Sequence, residues 1–590
     1  MNSKTIVEGY LRKKDWRVNE SSNSIYSYGG LTRYAKGEVF KDYWLRYVYP
    51  EHIAQAYISG DIHIHDLNDL TLYCCGYSLK DILMKGVKGV SNIPVSIPAK
   101  HFDSILNQIA NLTTIYQNEI AGAVAFNSVD TLLAPFIKYD KLTYREVKQS
   151  LQNFVFSINS NSRSGAEPAF SNATFDLTPP EDLLDEYAIV GGELMSFTYG
   201  SCQQEIDMFN RAFFEIMLEG DGEGKLFAYP IPTYNIHSRF DWDNPNNKLL
   251  WEMSGKYGVP YFANFMNSEL DIRDIRSMCC RLSLNLNELR KKNGGLFGAG
   301  DSTGSIGVVT INAPRLGYIS NTEDELFTNL EKVLEIARES LEIKRSWLEE
   351  NVIGTGLVPA FDEYVGTIDN HFSTIGILGL NEMCLNFLGE DRGITSPEGK
   401  TLALRIGEFI NKKLIKYQEE TGHLYNYEAT PAESTCYRLA KADKKIYPDI
   451  ITQGSGKNIY YTNSCHIPVK EIENIAKTFS HQDDLQVQFS GGTVIHVYLD
   501  GAISGEQAKS IVQTICKGYR VPYISLSPIS RYCDDHGYIK ERVNKCPICK
   551  KKLKMYQRIT GYLRCIDNFN VGKKAEFMDR VQLDGDDIED

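Results

Sequence analysis

Four residues near the C-terminus have the types and spacing of a metal site. Cys533-Asp534-Asp535-His536 and Cys546-Pro547-Ile548-Cys549 form two knuckles nine residues apart. Such knuckles can close three sulfurs and one imidazole around a tetrahedral ion, and a Cys3His set suits Zn2+. With four protein ligands and no vacancy for water, the zinc is expected to be structural, stapling a segment too small to fold on a core of its own. The plainer alternative, three free thiols beside a surface loop, is a poor fate for reactive groups packed so densely. Two adjacent pairs, Cys279-Cys280 and Cys74-Cys75, could act through sulfur chemistry, although as residues alone they read equally as small buried hydrophobes. His63-Ile64-His65-Asp66 precedes the second pair. On a strand the two histidines would share a face, but no third ligand is evident, so they read as hydrogen-bonding groups.

Directly after the knuckles comes Arg558-Ile559-Thr560-Gly561-Tyr562-Leu563. Taken alone it is a glycine in a turn. The run resembles the Arg-x-x-Gly-Tyr motif of glycyl-radical enzymes. The zinc knuckles just before it and FNVGKKAEFMDR just after it resemble one branch in particular, the anaerobic (class III) ribonucleoside-triphosphate reductases. HFSTIGILGLNEM (371–383), YEATPAESTCYRLAKADKKIYPD (427–449), YYTNSCHIPV (460–469) and QFSGGTVIHVYL (488–499) extend that resemblance over nearly the whole chain.

The resemblance implies roles. Gly561 would carry the radical: an α-carbon radical is stabilised by its flanking amide nitrogen and carbonyl, and only glycine lets that centre flatten without a side-chain clash. Cys280, the cysteine preceding Arg281, would become the thiyl radical on a finger loop. Cys74 would stand across the ribose and protonate or reduce C2′, with a swap of roles between Cys74 and Cys75 left open. Glu433 in TPAES would take the 3′-hydroxyl proton as general base; as a bare residue it is equally a paired loop glutamate. Gly491-Gly492-Thr493 could offer N–H groups to phosphate, or be a turn before a strand.

A separate radical-SAM iron–sulfur activase is implied, since the chain has no CxxxCxxC cluster motif of its own. Nucleoside triphosphates as substrates and allosteric effectors, and a homodimer, are also implied. Two departures stand out. Many members carry an N-terminal ATP-sensing module, and here the catalytic-type sequence DWRVNESSNSIYSYGGL is entered almost at once, so control of overall activity by ATP or dATP through such a module is not expected. Gly304-Ser305-Ile306-Gly307 occupies the place where formate-using members have an asparagine, which favours a thioredoxin- or glutaredoxin-like dithiol over formate as reductant. The rival readings are a glycyl-radical enzyme of formate-lyase or diol-dehydratase type, against which the knuckles count, and a zinc-stapled nucleotide-binding scaffold without radical chemistry.

The elements that must position these groups alternate. Glu323–Glu350 and Thr401–Thr421 carry helical spacing, while GSIGVVTINAP and GGTVIHVYL have the β-branched density of strands, which favours an α/β fold with mostly parallel strands. The resemblance sharpens this to a ten-stranded α/β barrel of two parallel five-stranded halves. Without repeats or linkers up to about Pro528, residues 1–530 are expected to form one catalytic barrel domain with its finger loop near 279–281. Residues 531–556 would then be a zinc-binding segment, and 557–590 the glycyl radical loop and acidic tail. The formal charge of −13 argues against a nucleic-acid partner. Thirteen cysteines in 590 residues are too sparse for a disulfide scaffold. No run of eighteen apolar residues or signal-peptide core is present, so no membrane partner is expected and the cytoplasm is the expected compartment.

Overall fold

A computed structural model describes residues 2–13, 26–90, 94–160, 168–267, 302–430 and 432–584. Cys279, Cys280 and the finger loop expected around them lie outside these residues.

Ten strands form the centre. In chain order they are β1 (Cys74–Tyr77), β2 (Val124–Phe126), β3 (Ser171–Phe175), β4 (Ile231–Ile236), β5 (Tyr261–Asn264), β6 (Gly304–Asn312), β7 (His371–Leu378), β8 (Leu424–Glu428), β9 (Ile495–Leu499) and β10 (Tyr523–Pro528). The first five lie side by side and parallel. In the second half β6, β7 and β8 run parallel, as do β9 and β10. The halves meet antiparallel at two seams, β1 against β6 and β5 against β10. Between β8 and β9 the ring closes through a single parallel bridge, Glu428 to Gly491, with Ala429 N donating to Gly491 O at 2.9 Å. This is the expected barrel of two parallel five-stranded halves. The Gly-Gly turn belongs to that closure: Gly492 has φ +69°, and a Cβ there would stand 2.4 Å from the Ala429 carbonyl oxygen.

Helices cross over between successive parallel strands and cover the barrel, as parallel sheets require. Glu323–Asn351 links β6 to β7, and Pro397–Thr421 links β7 to β8. The second begins four residues before the expected Thr401, because Ser396 caps it by accepting from Gly399 N at 3.0 Å and Pro397 fits the first turn. Beside the ten, the strand Ile62–Ile64 pairs antiparallel with β6 and carries the histidine segment onto the barrel.

Each barrel strand divides its residues between two environments. Cys75, Tyr77, Val124, Phe126, Phe175, Tyr234, Phe262, Ile375, Tyr427, Ile495 and Ile524 belong to the large core beneath the helices. The alternating positions, among them Cys74, Ala125, Asn172, Thr233, Tyr261, Phe372, Asn426 and His496, face the interior. That interior is mixed polar and aromatic, which suits a polar ligand better than a packed apolar plug. Asn172 Oδ1 and Asn426 Oδ1 are buried there without a hydrogen-bond partner.

After β10 the chain enters a second, four-stranded antiparallel sheet of β11 (Ser530–Cys533), β12 (Gly537–Ile539), β13 (Lys554–Arg558) and β14 (Leu563–Cys565), in the order β12-β11-β13-β14. No described helix is long and apolar enough to cross a membrane.

Candidate active site and metal centre

Cys533 ends β11, and a tight turn through His536 leads into β12, Gly537 taking the left-handed φ of +68°. Cys546 and Cys549 sit on the second knuckle, where Cys546 N donates to Lys551 O at 2.8 Å and Lys550 N to Cys546 O at 3.0 Å. The four ligand atoms lie within 4.8 Å of one another. Cys533 Sγ stands 3.5 Å from both His536 Nδ1 and Cys549 Sγ, and Cys546 Sγ is 3.5 Å from His536 Nδ1. Zinc–ligand bonds of about 2.0–2.3 Å in a tetrahedron set ligand atoms roughly 3.5 Å apart, so the four residues fit zinc. Burial pushes the Cys546 thiol up, but the backbone N–H groups of Cys549 and Ile548 outweigh it and bring it down to about 6, favouring the thiolate a metal needs.

Among the described residues no other cluster of three or more His, Cys, Asp or Glu side chains could hold a metal. The His63–His65 pair is engaged otherwise. Arg438 Nη1 donates to His63 Nδ1 at 2.9 Å, His65 Nε2 and Thr310 Oγ1 are 2.8 Å apart, and the two rings meet edge to face at 4.6 Å.

Strands β13 and β14 form a hairpin whose tip, residues 559–562, carries Gly561. Ile559 N donates to Tyr562 O at 3.0 Å and closes the turn. The Gly561 carbonyl oxygen accepts from Arg558 Nη1 at 3.2 Å and from the Tyr261 hydroxyl. Arg558 is fully buried; its Nη2 also donates to Gly258 O at 2.7 Å and Val259 O at 2.6 Å, and its guanidinium lies 4.1 Å over the Tyr261 ring. Arg580, at the end of the helix Val571–Asp579, donates to Arg558 O at 2.8 Å and to Ile559 O at 3.0 Å. Glu576 on that helix accepts from Arg580 at 2.8 Å and from Lys573 at 2.5 Å. The carbonyls of residues 558, 559, 561 and 562 are thus all satisfied, three of them by side chains.

Glu433 reaches the same tip. Its Oε1 accepts from Thr560 Oγ1 at 2.9 Å and its Oε2 from Tyr562 Oη at 3.2 Å, so one carboxylate holds both residues flanking Gly561. Burial, then the Glu433 charge, pushes the Tyr562 hydroxyl well up, so it stays a donor. Behind the tip, Thr560, Thr430, Asn463, His466, His496 and Glu576 line part of a cavity of about 60 Å³.

The two cysteines at the head of β1 part company. Cys74 packs against Ala123, Ala125, Phe170 and Phe372 on the interior side. Cys75 lies in the outer core, its thiol pushed well up by burial. Phe170 joins Cys74 to the hairpin, its ring also meeting Tyr562 edge-on at 6.2 Å. The antiparallel seam places Cys74 opposite Ser305, whose hydroxyl is 2.8 Å from Thr374 Oγ1. The structure therefore gathers Gly561, Glu433 and Cys74 toward one interior; the zinc ligands stand apart, at the far end of β11 and β13.

Sequence reasoning missed Tyr261, Arg580, Glu576 and Lys573. The last three had a signal, since their i, i+3 and i+7 spacing marks one face of a helix, but that pattern ordinarily denotes a solvated face. Tyr261 had none; it is 300 residues from Gly561.

Comparison with known proteins accords with this geometry. Residues 20–583 match the family described as Anaerobic ribonucleoside-triphosphate reductase. Proteins of that name from Haemophilus influenzae and Enterobacteria phage T4 are 22% and 24% identical, in each case over 98% of this chain and over 85% and 99% of the relative. A structure of the Thermotoga maritima anaerobic ribonucleotide reductase in complex with dATP and CTP has the same fold, with a TM-score of 0.74 at 18% identity over 97% of this chain and 98% of that one. By its sequence over nearly its full length, this chain belongs to the anaerobic ribonucleoside-triphosphate reductases, oxidoreductases that make 2′-deoxyribonucleotides from ribonucleoside triphosphates.

Proposed function

We propose that this chain carries out its family's reduction with Gly561, Cys280, Cys74 and Glu433 as its chemical groups. The Gly561 radical takes the hydrogen of the Cys280 thiol, and the resulting thiyl takes hydrogen from ribose C3′. Glu433 accepts the 3′-hydroxyl proton while Cys74 supplies the proton with which the 2′-hydroxyl leaves as water. Glu433 is held at the hairpin tip by Thr560 and Tyr562, the two neighbours of Gly561, which supports its place beside the reacting ribose. Across the cycle an external dithiol of thioredoxin or glutaredoxin type becomes a disulfide, and C2′–OH becomes C2′–H plus water, which balances electrons and protons. Gly304-Ser305-Ile306-Gly307, standing where formate users have an asparagine, supports the dithiol.

Zn2+ held by Cys533, His536, Cys546 and Cys549 would fix the fold beneath the hairpin. A radical-SAM activase would generate the radical, nucleoside triphosphates would serve as substrates and effectors, and the chain would work as a cytoplasmic homodimer. The formate-lyase or diol-dehydratase alternative is not favoured, given the family match over residues 20–583.

The observation that carries the reading is the convergence of Cys74, Phe170, Tyr562 and Glu433 on the interior side of the Gly561 hairpin. Anaerobic activation followed by radical measurement with and without nucleotide tests it. Gly561→Ala should show no radical and no turnover. Cys74→Ser should form the radical and lose it on adding nucleotide without completing reduction. Cys75→Ser, altered only in the outer core, should still turn over. Normal turnover by Cys74→Ser, with Cys75→Ser inactive, would overturn the sulfur assignment.

A further inference from the structure

The Gly561 carbonyl is the most heavily served acceptor of the hairpin tip, receiving the Tyr261 hydroxyl and the Arg558 guanidinium together. Neither donor is incidental. Tyr261 is the first residue of β5 and only 2% exposed, and Arg558 is anchored by the carbonyls of Gly258 and Val259, immediately before that strand. The guanidinium over the Tyr261 ring at 4.1 Å locks the two donors to each other. The β5 edge of the barrel thus presents a fixed pair of donors, one of them cationic, to one oxygen.

If that oxygen belonged to an ordinary turn, either donor would satisfy it. The second makes sense through what the carbonyl does for its neighbour. An α-carbon radical in a peptide is stabilised by the push of the amide nitrogen and the pull of the carbonyl, in a form with negative charge on the oxygen. Donors aimed at the atom where charge develops stabilise that form, and a charged donor does so more strongly than a neutral one.

We propose that Tyr261 is a positioning residue for the radical: its hydroxyl, with Arg558, clamps the Gly561 carbonyl so that the radical centre stays planar and its spin spreads onto the oxygen. This rests on Gly561 being the radical site. Tyr261 takes no part in hydrogen transfer, and it sets how much spin remains on the α-carbon and how long the radical persists. A tyrosine serves where a lysine would not, because its donor is carried on a rigid ring held in a strand and cannot follow the hairpin if the hairpin moves away.

The test uses the full-length protein, activated anaerobically, and reads the organic radical by electron paramagnetic and electron–nuclear double resonance. In the wild type the phenolic proton should appear as a solvent-exchangeable coupling to the radical. Tyr261→Phe should lose that coupling, widen the α-proton doublet splitting and shorten the radical's lifetime, with zinc content unchanged. Site-specific 3-fluorotyrosine at position 261, which keeps the ring and sharpens the donor, should move the splitting the opposite way; it reads the clamp even if the Phe variant yields no radical. A wild-type doublet in both variants overturns the clamp while leaving the Gly561 reading intact. A wild-type radical that survives Gly561→Ala overturns the Gly561 reading and the clamp with it.

Discussion

The four-ligand knob and the Gly561 hairpin are built on the same four-stranded sheet, yet their sequences offer opposite kinds of fastening. At the knob end the apolar content amounts to Ile539 and Leu553 beside Cys533 and Cys546. Its charged groups sit on the surface in pairs such as Lys551–Asp535 and Lys554–Asp534, which contribute little. On the proposed reading, soft ligands around one ion would hold it. At the hairpin end the charges are inside: Arg558, Lys573, Glu576 and Arg580 are all buried, and their hydrogen bonds fix the backbone of the tip. A metal staple gives stiffness to a segment with no core, whereas buried charge gives direction, because an arginine fork satisfies only carbonyls placed where its N–H groups point. The second kind of fastening suits the proposed role of the tip, in which the Gly561 α-carbon would have to meet a sulfur in a fixed geometry.

The comparison is broken most severely by removing the staple. Cys546→Ser takes away a ligand whose structural-zinc site is worth on the order of 10 kcal/mol of local folding free energy. Metal analysis should fall from about one zinc per chain to nearly none, and amide exchange should lose protection over 533–556. Because β13 pairs with both β11 and β14, turnover should fall too. Retained hairpin protection with full turnover would show the two regions to be independent. The clamp is the next largest effect. Arg580→Met leaves Glu576 with Lys573 alone and strips donors from the carbonyls of Arg558 and Ile559, which should cost about 3–5 kcal/mol. A lower thermal midpoint and radical yield at unchanged zinc content would match; zinc loss would mean that the knob leans on the hairpin.

These two regions were not equally legible in the sequence. The knob was readable because its chemistry is local: four ligands within seventeen residues, in a spacing few other uses demand. The hairpin was legible only at Gly561 and Arg558, whose positions a short motif fixes. Of its other partners, Tyr261 and Glu433 lie 300 and 127 positions from the residues they hold, beyond any local pattern, and the C-terminal helix, though near in sequence, reads as a solvated face. Two barrel strands, β6 and β9, were visible as β-branched runs, but the facing of their residues was not. All four residues of β1 are buried, and with both strand faces covered the period-two alternation that would separate Cys74 from Cys75 disappears. The neighbours decide it instead, Ala123 and Ala125 beside Cys74 and the large aliphatic core beside Cys75.

Acid should separate the two fastenings by a smaller margin, and the sign differs in cause. The knob needs its ligands deprotonated, so protons compete with the ion, and with three thiols and an imidazole involved its affinity falls steeply as pH drops. For the hairpin, burial works to raise the Glu576 carboxyl, but the charges of Lys573 and Arg580 outweigh it and hold it below the usual carboxylate range. A carboxylate whose folded value is depressed contributes stability that is fully present above its unfolded value, near 4.3, and is lost as pH falls through the lower folded value. Between about pH 6 and pH 4.5 the ion should therefore leave while the clamp keeps its charge. A zinc-sensitive dye followed alongside amide exchange at residues 557–566 checks this, with zinc appearing in solution before the tip loses protection. Simultaneous loss would mean that β13 transmits the unfolding of the knob faster than the buried charges can resist it, and loss of the tip first would reverse the ranking of the two fastenings.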